Sequence, residues 1–480
     1  MILHELPNHD GPGRVGAPSV SRAIGPWAAR LGQRLAAQAN LVARLDRIAD
    51  RIGLTLLLLA SGALLLRPAD LFPFLEGAPI YGVLIVACMI VSLPRLMPFL
   101  AGAPLYRNGV LLLMVLLVPA VVLSHVSHLD TWDARLGGAE MAKACLFSVL
   151  IVALVDSPRK LMATLAVIVA AVWVVAVLAV LQYHGWIDLP ALRGVEGHSL
   201  DPDNPGLVLR LCGVGVFNDP NDFALVLVTA AALCVFGLNE RRLGPARWNL
   251  LIPLAWFGYA LLLTRSRGGL VSAAGALLAF LPARFGWRNA LPLACVLAPA
   301  VLAPFWGRQT SLNLSDPDDT FQSRLSLWSD SLDAFRSAPL FGIGQGKLVD
   351  VIGQVTHNSF LHAFAELGLF GGFAFIGAFD LALRGVQRAV PEDQRLARLR
   401  PYMLAIAAGY AAGLLSLSRC YTVPTQLILA LVTSYLVLAS RCGPLAVGRL
   451  DGACIRRIAG LGLVFLGATY VFVRAMVVRG

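Results

Sequence analysis

The segment THNSFLHAFAELGLFGG, residues 356–372, places groups that can do chemistry at the start of a strongly apolar stretch. His357 and Asn358 come first, and three glycines follow further along. Burying an imidazole or an amide costs free energy unless the group is hydrogen-bonded, so both residues are expected to have a role. Histidine titrates near neutral pH and can accept a proton from a hydroxyl group. His357 is therefore a candidate general base, and a contact with phosphate or sugar is the alternative that stays open.

Four arginines form a second group of candidates, because they lie in or beside outer loops, where membrane topology predicts few positive charges. They are Arg210, Arg265, Arg267 and Arg324. The planar guanidinium group donates hydrogen bonds in a fixed geometry that matches phosphate oxygens. Arg265 and Arg267 lie in LLLTRSRGGL, residues 261–270, which forms a tight turn between two apolar stretches. Phosphate binding and anchoring to lipid headgroups are both open for these two side chains.

The stretch RLCGVGVFNDPNDFA, residues 210–224, adds a predicted helix start to this group. Asp219 followed by Pro220 is typical of an N-cap and first helical position. The free N–H groups of such a helix start can bind an anion. Asn221 lies in that first turn and Arg210 precedes it, so both are candidates beside the same anion site.

The stretch FQSRLSLWSDSLDAFRSAPLFGIGQGKL, residues 321–348, has apolar positions at helical spacing. It predicts an amphipathic helix that carries Arg324. The run GIGQGK is not a nucleotide-binding loop, because only three residues separate its outer glycines and Leu348 follows Lys347. A glycine-rich turn that offers Lys347 to a phosphate is the more modest interpretation.

Metal and cofactor chemistry is not indicated by the sequence. The acidic run at 201–206 resembles the start of a calcium loop, but Pro205 and Cys212 stand where oxygen ligands are needed. The run at 316–319 is typical of a solvated turn. The eight cysteines show no C-x-x-C spacing, so neither a zinc site nor a redox motif is predicted.

Composition shows which elements must position these residues. The chain has 480 residues, of which 58% are hydrophobic and 14% charged, whereas soluble domains carry roughly 25% charged residues. Charge-free windows of membrane-spanning length predict an all-α polytopic membrane protein of about twelve helices, with twelve or thirteen candidates. The windows lie near 52–67, 78–94, 109–125, 139–155, 161–182, 222–238, 248–264, 268–282, 289–306, 359–383, 402–418, 422–440 and 457–474.

The distribution of arginine predicts the orientation of these helices. An Arg-rich segment, 1–51, is placed in the cytoplasm. Residues 52–306 are predicted to form nine helices, with an outer loop near 183–221. The long outer loop 307–357 follows and carries the amphipathic helix, and residues 358–480 form the C-terminal helices. The candidate residues then lie on the outer side. This topology explains much of the net charge of +11 without a nucleic-acid partner.

Taken together, these residues resemble the bacterial O-antigen ligase and polymerase superfamily. The motif that carries the resemblance is His357-Asn358, nine residues, and then GLFG from Gly368. TRSRGGL, RLCGVGVFNDPNDFA and SRLSLW…PLFGIGQG support it in the same order, over about 205–375. Members generally have twelve spans with both ends in the cytoplasm, so a thirteenth window departs from that pattern.

The resemblance implies a metal-independent, inverting glycosyltransferase without a cofactor in the bacterial inner membrane. Its donor is a glycan on undecaprenyl diphosphate, and its acceptor is a sugar hydroxyl of lipid A–core at the periplasmic face. The family's diphosphate-binding arginines map to Arg210 and Arg267, and its motif histidine maps to His357. Arg265 is an additional basic residue beside them.

Three other functions stay open. An O-antigen polymerase and a protein O-oligosaccharyltransferase of the same superfamily share the chemistry and differ in the acceptor. A transporter or flippase of lipid-linked oligosaccharides belongs to a different class, in which broken or polar helices near the membrane midplane are expected. Span interiors that are nearly free of charge favour the enzyme.

Overall fold

The structure is a computed structural model that describes residues 21–101, 108–198, 207–302, 320–441 and 450–477. These ranges are almost entirely helical. The helices are α1 (Ser21–Leu66), α2 (Pro68–Leu71), α3 (Ile80–Ala101), α4 (Gly109–Val126), α5 (Thr131–Leu154), α6 (Pro158–Tyr183), α7 (Pro220–Asn239), α8 (Leu251–Thr264), α9 (Arg267–Phe285), α10 (Trp287–Leu302), α11 (Thr320–Ser337), α12 (Leu348–Ile352), α13 (Ser359–Arg388), α14 (Gln394–Gly413), α15 (Val423–Ala439) and α16 (Gly452–Val477). Strands β1 (Val195–His198) and β2 (Leu207–Arg210) form an antiparallel pair.

Ten helical segments in the described ranges are long and apolar enough to cross a membrane, and α15 is a shorter apolar helix. One of the ten is α8 together with the 3-10 helix Arg241–Leu250 that precedes it. The predicted all-α polytopic class is confirmed. Two further predicted windows correspond to α10, which has 16 residues, and to α14, whose first turns carry three arginines. The total of twelve or thirteen crossings therefore stays a prediction.

The chain divides into two compact units, residues 1–51 and 52–480. In the first unit, the described residues form the beginning of α1. The second unit contains the helical bundle. The predicted outer loop 307–357 is described from residue 320 onward, where it forms α11 and α12, and the predicted amphipathic helix is confirmed as α11.

Small residues allow α9 and α14 to pack closely. A Cβ atom added at Gly275 of α9 would lie 2.6 Å from Cβ of Ala412. One added at Gly409 of α14 would lie 2.9 Å from the carbonyl oxygen of Ser272. Glycine at these two positions lets the backbones approach, as is usual where helices pack in membranes. This contact holds the helix that begins at Arg267.

Helix α13 is broken at Gly368, which has φ 63° and ψ −159°. The sequence predicted one apolar window at 359–383, and in the structure this segment contains a break that the sequence did not predict. A Cβ atom at Gly371 would collide with Leu367, and one at Gly372 with Phe364. Both contacts lie within α13 itself, across the break. The glycines therefore let the two halves of one helix fold against each other, because only glycine readily adopts the conformation at Gly368.

A loop inserts into the break and binds the backbone groups that it exposes. The amides of Ile343 and Gly344 donate to the carbonyls of Ala365 and Glu366, at 3.1 and 3.2 Å. In the other direction, the amides of Leu369 and Phe370 donate to the carbonyls of Pro339 and Leu340, at 2.8 and 3.3 Å. Unbonded backbone groups are costly in an apolar environment. The segment that includes the glycine-rich run therefore holds the two halves of the broken helix through backbone hydrogen bonds.

We expect Gly368→Ala to lower the free energy of unfolding by about 2 kcal/mol, because alanine is strained in this conformation and its Cβ would overlap the carbonyl group of Leu340. Thermal unfolding in detergent measures the effect. Gly467→Ala is the matched control, since nothing lies within 4 Å of its Cβ position in α16. Equal melting temperatures for the two variants would contradict the assigned role of Gly368.

Candidate active site

Arg210 is fixed beside the turn that joins α8 to α9. Its Nε donates a hydrogen bond of 3.2 Å to the carbonyl of Thr264. The next residue, Leu211, donates its amide to the carbonyl of Leu263 at 3.0 Å. Within the described ranges, Nε is the only side-chain atom of Arg210 that makes a hydrogen bond. The end of β2 thus holds one candidate arginine against the TRSRGGL turn that was predicted to carry two more.

The start of α7 is tied to the same turn. Asp219 and Pro220 are the N-cap and first residue of α7, as predicted, and the Asp219 carboxylate accepts the amide of Asn221 at 2.7 Å. The Oδ1 atom of Asn221 accepts a hydrogen bond of 2.6 Å from Oγ of Ser266. Ser266 in turn caps α9 through the amide of Gly269 at 2.9 Å. Asn221 therefore joins two helix starts.

Arg265 and Arg267 have different positions in this turn. Arg265 is the C-cap of α8 and has a left-handed backbone, with φ 50° and ψ 33°. Arg267 is the first residue of α9. Its charge, together with burial and the charge of Arg210, lowers the pKa of Arg324 on α11. The structure thus places Arg210 and Arg267 near enough to Arg324 for both charges to act on it.

Arg324 is half-buried and, in the described part of the chain, makes no hydrogen bond or ion pair through its side chain. Burial is the largest cause of its lowered pKa, followed by the two neighbouring arginines. The carboxylate of Asp219 opposes these effects. Like charges held close together repel each other. A cluster of this kind is suited to binding an anion with several oxygen atoms.

His357 lies directly before α13 in a left-handed conformation, with φ 54°. Its amide donates to Oγ of Ser418 at 2.9 Å. Asn358 caps α13, and its Oδ1 accepts the amides of Phe360 and Leu361 at 3.1 and 3.2 Å. These contacts fix the backbone of His357 and Asn358 at the start of α13. They explain how a non-glycine residue is held in a conformation that is costly by itself.

Electrostatics connect His357 with the arginine cluster. Burial is the largest influence on the imidazole and lowers its pKa from the ordinary value of 6.5. The charges of Arg324 and Arg419 lower it further, whereas Asp219 raises it. The lowered pKa favours the neutral form of the His357 imidazole near pH 7. A neutral imidazole can accept a proton or a hydrogen bond.

Arg419 and Asp222 are site residues that the sequence analysis missed. Nε of Arg419 lies 2.9 and 2.8 Å from the two carboxylate oxygens of Asp222, and its NH2 lies 2.6 Å from Oδ2. The amide of Arg419 donates to Oγ of Ser359 at 2.8 Å. The pair thus ties the loop before α15 to α7 and to the start of α13. The two partners are 197 positions apart in the sequence, so no local pattern could have revealed them.

Lys347 is not part of the arginine cluster. Its Nζ lies 2.6 Å from Asp133 and 3.3 Å from Asp130, between α4 and α5. These two carboxylates raise the pKa of Lys347. Among the described residues, His125, Asp130 and Asp133 are close enough together to hold a metal ion, and the lysine pairs with two of them. The acidic runs at 201–206 and 316–319 lie outside the described residues.

Removing one partner of the Asp222–Arg419 pair is expected to be more harmful than removing both. Arg419→Met leaves a carboxylate that is 7% exposed without its counter-ion, which should lower the free energy of unfolding by about 3 kcal/mol. Adding Asp222→Leu should restore most of that loss. Thermal unfolding of both single variants and the double variant measures the coupling, and strictly additive effects would argue against a compensated pair.

The comparison with known families covers much of this site. Residues 250–376 match a family described as O-antigen ligase. No curated protein matches the chain. The matched range contains the arginine turn, Arg324 and His357, while Arg210 and Arg419 lie outside it. Members of this family are membrane glycosyltransferase-like enzymes, and the match over residues 250–376 supports a place for this chain in the O-antigen ligase superfamily.

Proposed function

We propose that the protein is an O-antigen ligase, which moves a glycan from undecaprenyl diphosphate to a sugar hydroxyl of lipid A–core at the periplasmic face of the inner membrane. The observation that carries this proposal is the convergence of three arginines and one histidine from separate elements. Arg210 comes from β2, Arg267 from α9, Arg324 from α11, and His357 from the start of α13.

The arginine cluster suits the diphosphate of a lipid-linked donor. Arg210 and Arg267 both lie close enough to Arg324 for their charges to act on its guanidinium group. A diphosphate at this position would relieve their repulsion and accept hydrogen bonds from several guanidinium groups. Arg265 stands next to this group in the turn and is proposed as an accessory contact. Asn221 and Asn358 are proposed to support the site by fixing helix starts.

The reaction is a direct displacement at the anomeric carbon. The acceptor hydroxyl oxygen forms the new bond to that carbon, and the bond from the carbon to the phosphate oxygen breaks. The electron pair of the broken bond leaves with undecaprenyl diphosphate, and the hydroxyl proton passes to the imidazole of His357. Direct attack inverts the anomeric centre. Negative charge grows on the leaving diphosphate, so arginines fixed there stabilise the transition state more than the ground state.

The acceptor distinguishes this proposal from its neighbours. A polymerase would transfer the glycan to a second lipid-linked glycan, and a protein O-oligosaccharyltransferase would transfer it to a side-chain hydroxyl of a protein. A transporter or flippase would move the donor without breaking the glycosidic bond. The broken helix α13 is a feature that transporters also use. In this chain, however, the inserted loop binds the exposed backbone groups at the break.

The proposal is tested with detergent-purified protein, lipid-linked glycan and purified lipid A–core, without nucleotide or ion gradient. We expect glycosylated lipid A–core to appear as a ladder of lower mobility on a gel. Parallel reactions offer either lipid-linked glycan alone or an acceptor protein. Product only in one of these parallel reactions would replace the ligase by the corresponding alternative. No product in any reaction would leave the transporter as the better hypothesis.

The orientation of the bundle is tested by cysteine labelling in intact spheroplasts. We expect an impermeant thiol reagent to label Asp188→Cys, in the predicted outer loop, because its side chain is 80% exposed. Gln394→Cys, at the start of α14, should react only after the membrane is permeabilised. The parent protein gives the background from native cysteines. The reverse labelling pattern would place the site in the cytoplasm.

Replacing Arg210 or Arg267 by alanine should reduce kcat/KM for the donor at least about a hundredfold, because a cation at the leaving diphosphate is lost. Lysine at either position should restore activity only in part, since a point charge cannot reproduce the guanidinium geometry. Arg135→Ala, on α5, is a control outside the cluster. Normal transfer by both alanine variants would identify Arg210 and Arg267 as lipid anchors.

His357 is tested by the pH dependence of transfer. Because the pKa of His357 is lowered from its ordinary value, activity should stay constant through neutral pH and fall only on the acid side of that ordinary value, where the imidazole becomes protonated. His357→Asn tolerates the left-handed backbone and should lose about a hundredfold in kcat. The acid limb should disappear in this variant. A variant with weaker donor binding and an unchanged acid limb would instead make His357 a phosphate ligand.

A further inference from the structure

A fully buried carboxylate stands in the first half of α13. Glu366 is 0% exposed, and its Oε2 lies 3.1 Å from Nε2 of His362, one turn earlier in the helix. Its Oε1 accepts a hydrogen bond of 3.2 Å from the amide of Leu348, where the glycine-rich loop ends. Ionisable residues inside a membrane protein are costly to bury and commonly serve a function. The proposed transfer reaction leaves this pair unused.

Polar contacts lead from the pair to the residue before His357. Nδ1 of His362 lies 3.4 Å from Oγ1 of Thr356. Thr356 is 0% exposed, and its hydroxyl group lies 3.0 Å from Oγ of Ser331 on α11. Its carbonyl accepts a hydrogen bond of 3.0 Å from Nε1 of Trp328, also on α11. Thr356 is therefore fixed on two sides.

Fixing Thr356 determines the position of two proposed active-site groups. His357 follows it directly and has a left-handed backbone that its surroundings must impose. Arg324 lies four and seven residues before Trp328 and Ser331 on α11, so the three side chains share one face of that helix. The same contacts thus connect the segment that carries His357 with the helix that carries Arg324.

We propose that Glu366 and His362 are positioning residues, which hold His357 and Arg324 in register through Thr356. The inference rests on the proposed function, because it assigns these residues a part in the same reaction. Neither Glu366 nor His362 contacts the reacting atoms in this scheme.

The pair acts as a unit because the Glu366 carboxylate and Nε2 of His362 lie side by side where both are buried. Replacing one member leaves the other without its polar partner in a buried place, whereas replacing both removes the mismatch. The expected effects on catalysis are therefore not independent. Glu366→Gln keeps the size of the side chain and an acceptor for the Leu348 amide while it removes the charge. His362→Gln keeps a hydrogen-bonding group but loses the imidazole.

The first experiment is a double-mutant cycle on kcat and on KM for the lipid-linked donor. We expect each single variant to lower kcat about tenfold or more with KM unchanged within about twofold, and the double variant to be no worse than the more damaging single one. Glu140→Gln and His128→Gln are controls on an exposed carboxylate and an exposed imidazole. The proposal would be overturned if the losses in kcat of the two single variants multiply in the double variant. It would also be overturned if the variants change only KM for the donor.

Thr356→Val provides a second test in case Glu366→Gln and His362→Gln fold poorly. It removes the hydroxyl group that joins His362 to Ser331 and leaves the buried pair intact. We expect the same loss in kcat, again without a change in KM for the donor. Normal kcat in Thr356→Val would show that the contacts from the pair do not reach His357.

A measurement on His357 itself separates this proposal from the proposed function. Diethyl pyrocarbonate modifies neutral imidazoles, and mass spectrometry reports the extent at His357 as a function of pH. The groups that influence His357 electrostatically are Arg324 on α11, Asp219 before α7, Arg419 before α15, and His362 on α13. If the contacts position His357 against Arg324, Thr356→Val should shift its titration towards the ordinary value of about 6.5.

This titration needs no glycan transfer. If the parent protein transfers no glycan, the proposed ligase function fails, yet a shifted titration in Thr356→Val and Glu366→Gln still supports the positioning role. An unchanged titration in both variants would overturn that role whether or not the parent protein is active.

Discussion

Backbone groups of a chain this apolar must find hydrogen-bond partners within the protein, and the break in α13 makes this requirement acute. Gly368 interrupts the helix and exposes carbonyl and amide groups on both sides. The loop that starts at Pro339 binds these groups with its own backbone. Each segment needs the other, because either one alone would leave unbonded polar groups in an apolar environment. The positions of the elements around the candidate site depend on these reciprocal hydrogen bonds between the loop and α13.

The inserted loop also carries the contacts that reach beyond α13. Lys347, at its end, forms ion pairs with two aspartates at the start of α5. The amide of Leu348 contacts the buried carboxylate of Glu366. Before the loop, α11 holds Thr356 through Trp328 and Ser331. The glycine-rich run is thus a structural centre, and its resemblance to a phosphate-binding loop reflects only the need for unusual backbone angles.

Charge is distributed unequally around His357. Arg419 is matched by Asp222, which it contacts through both carboxylate oxygens. Arg324 has no such partner among the described residues, and Asp219 influences several basic groups at once. A matched pair contributes to architecture, whereas an excess of positive charge can serve an anionic ligand. This difference separates the arginine that fixes the loop before α15 from those proposed to hold a diphosphate.

The local sequence was sufficient wherever one segment decides its own structure. The all-α membrane class followed from apolar windows, the start of α7 from Asp219 and Pro220, and α11 from its periodicity. The residues that meet in the arginine cluster were also predicted, because basic side chains in predicted outer loops are conspicuous. Each of these features depends on residues within a few turns of one another, where propensity and capping act.

Only the tertiary structure decided how these segments are joined. The break at Gly368 could not be read from the sequence, since glycines are compatible with close helix packing and become a break only when a loop binds the exposed groups. The Asp222–Arg419 pair joins residues 197 positions apart, and Glu366 is compensated by contacts from its own helix and from the loop before α12. Local propensity carries no information on such partners. The physical reason is that a buried charge or an unbonded amide is tolerated only beside its complement, and the fold alone determines which distant residue supplies it.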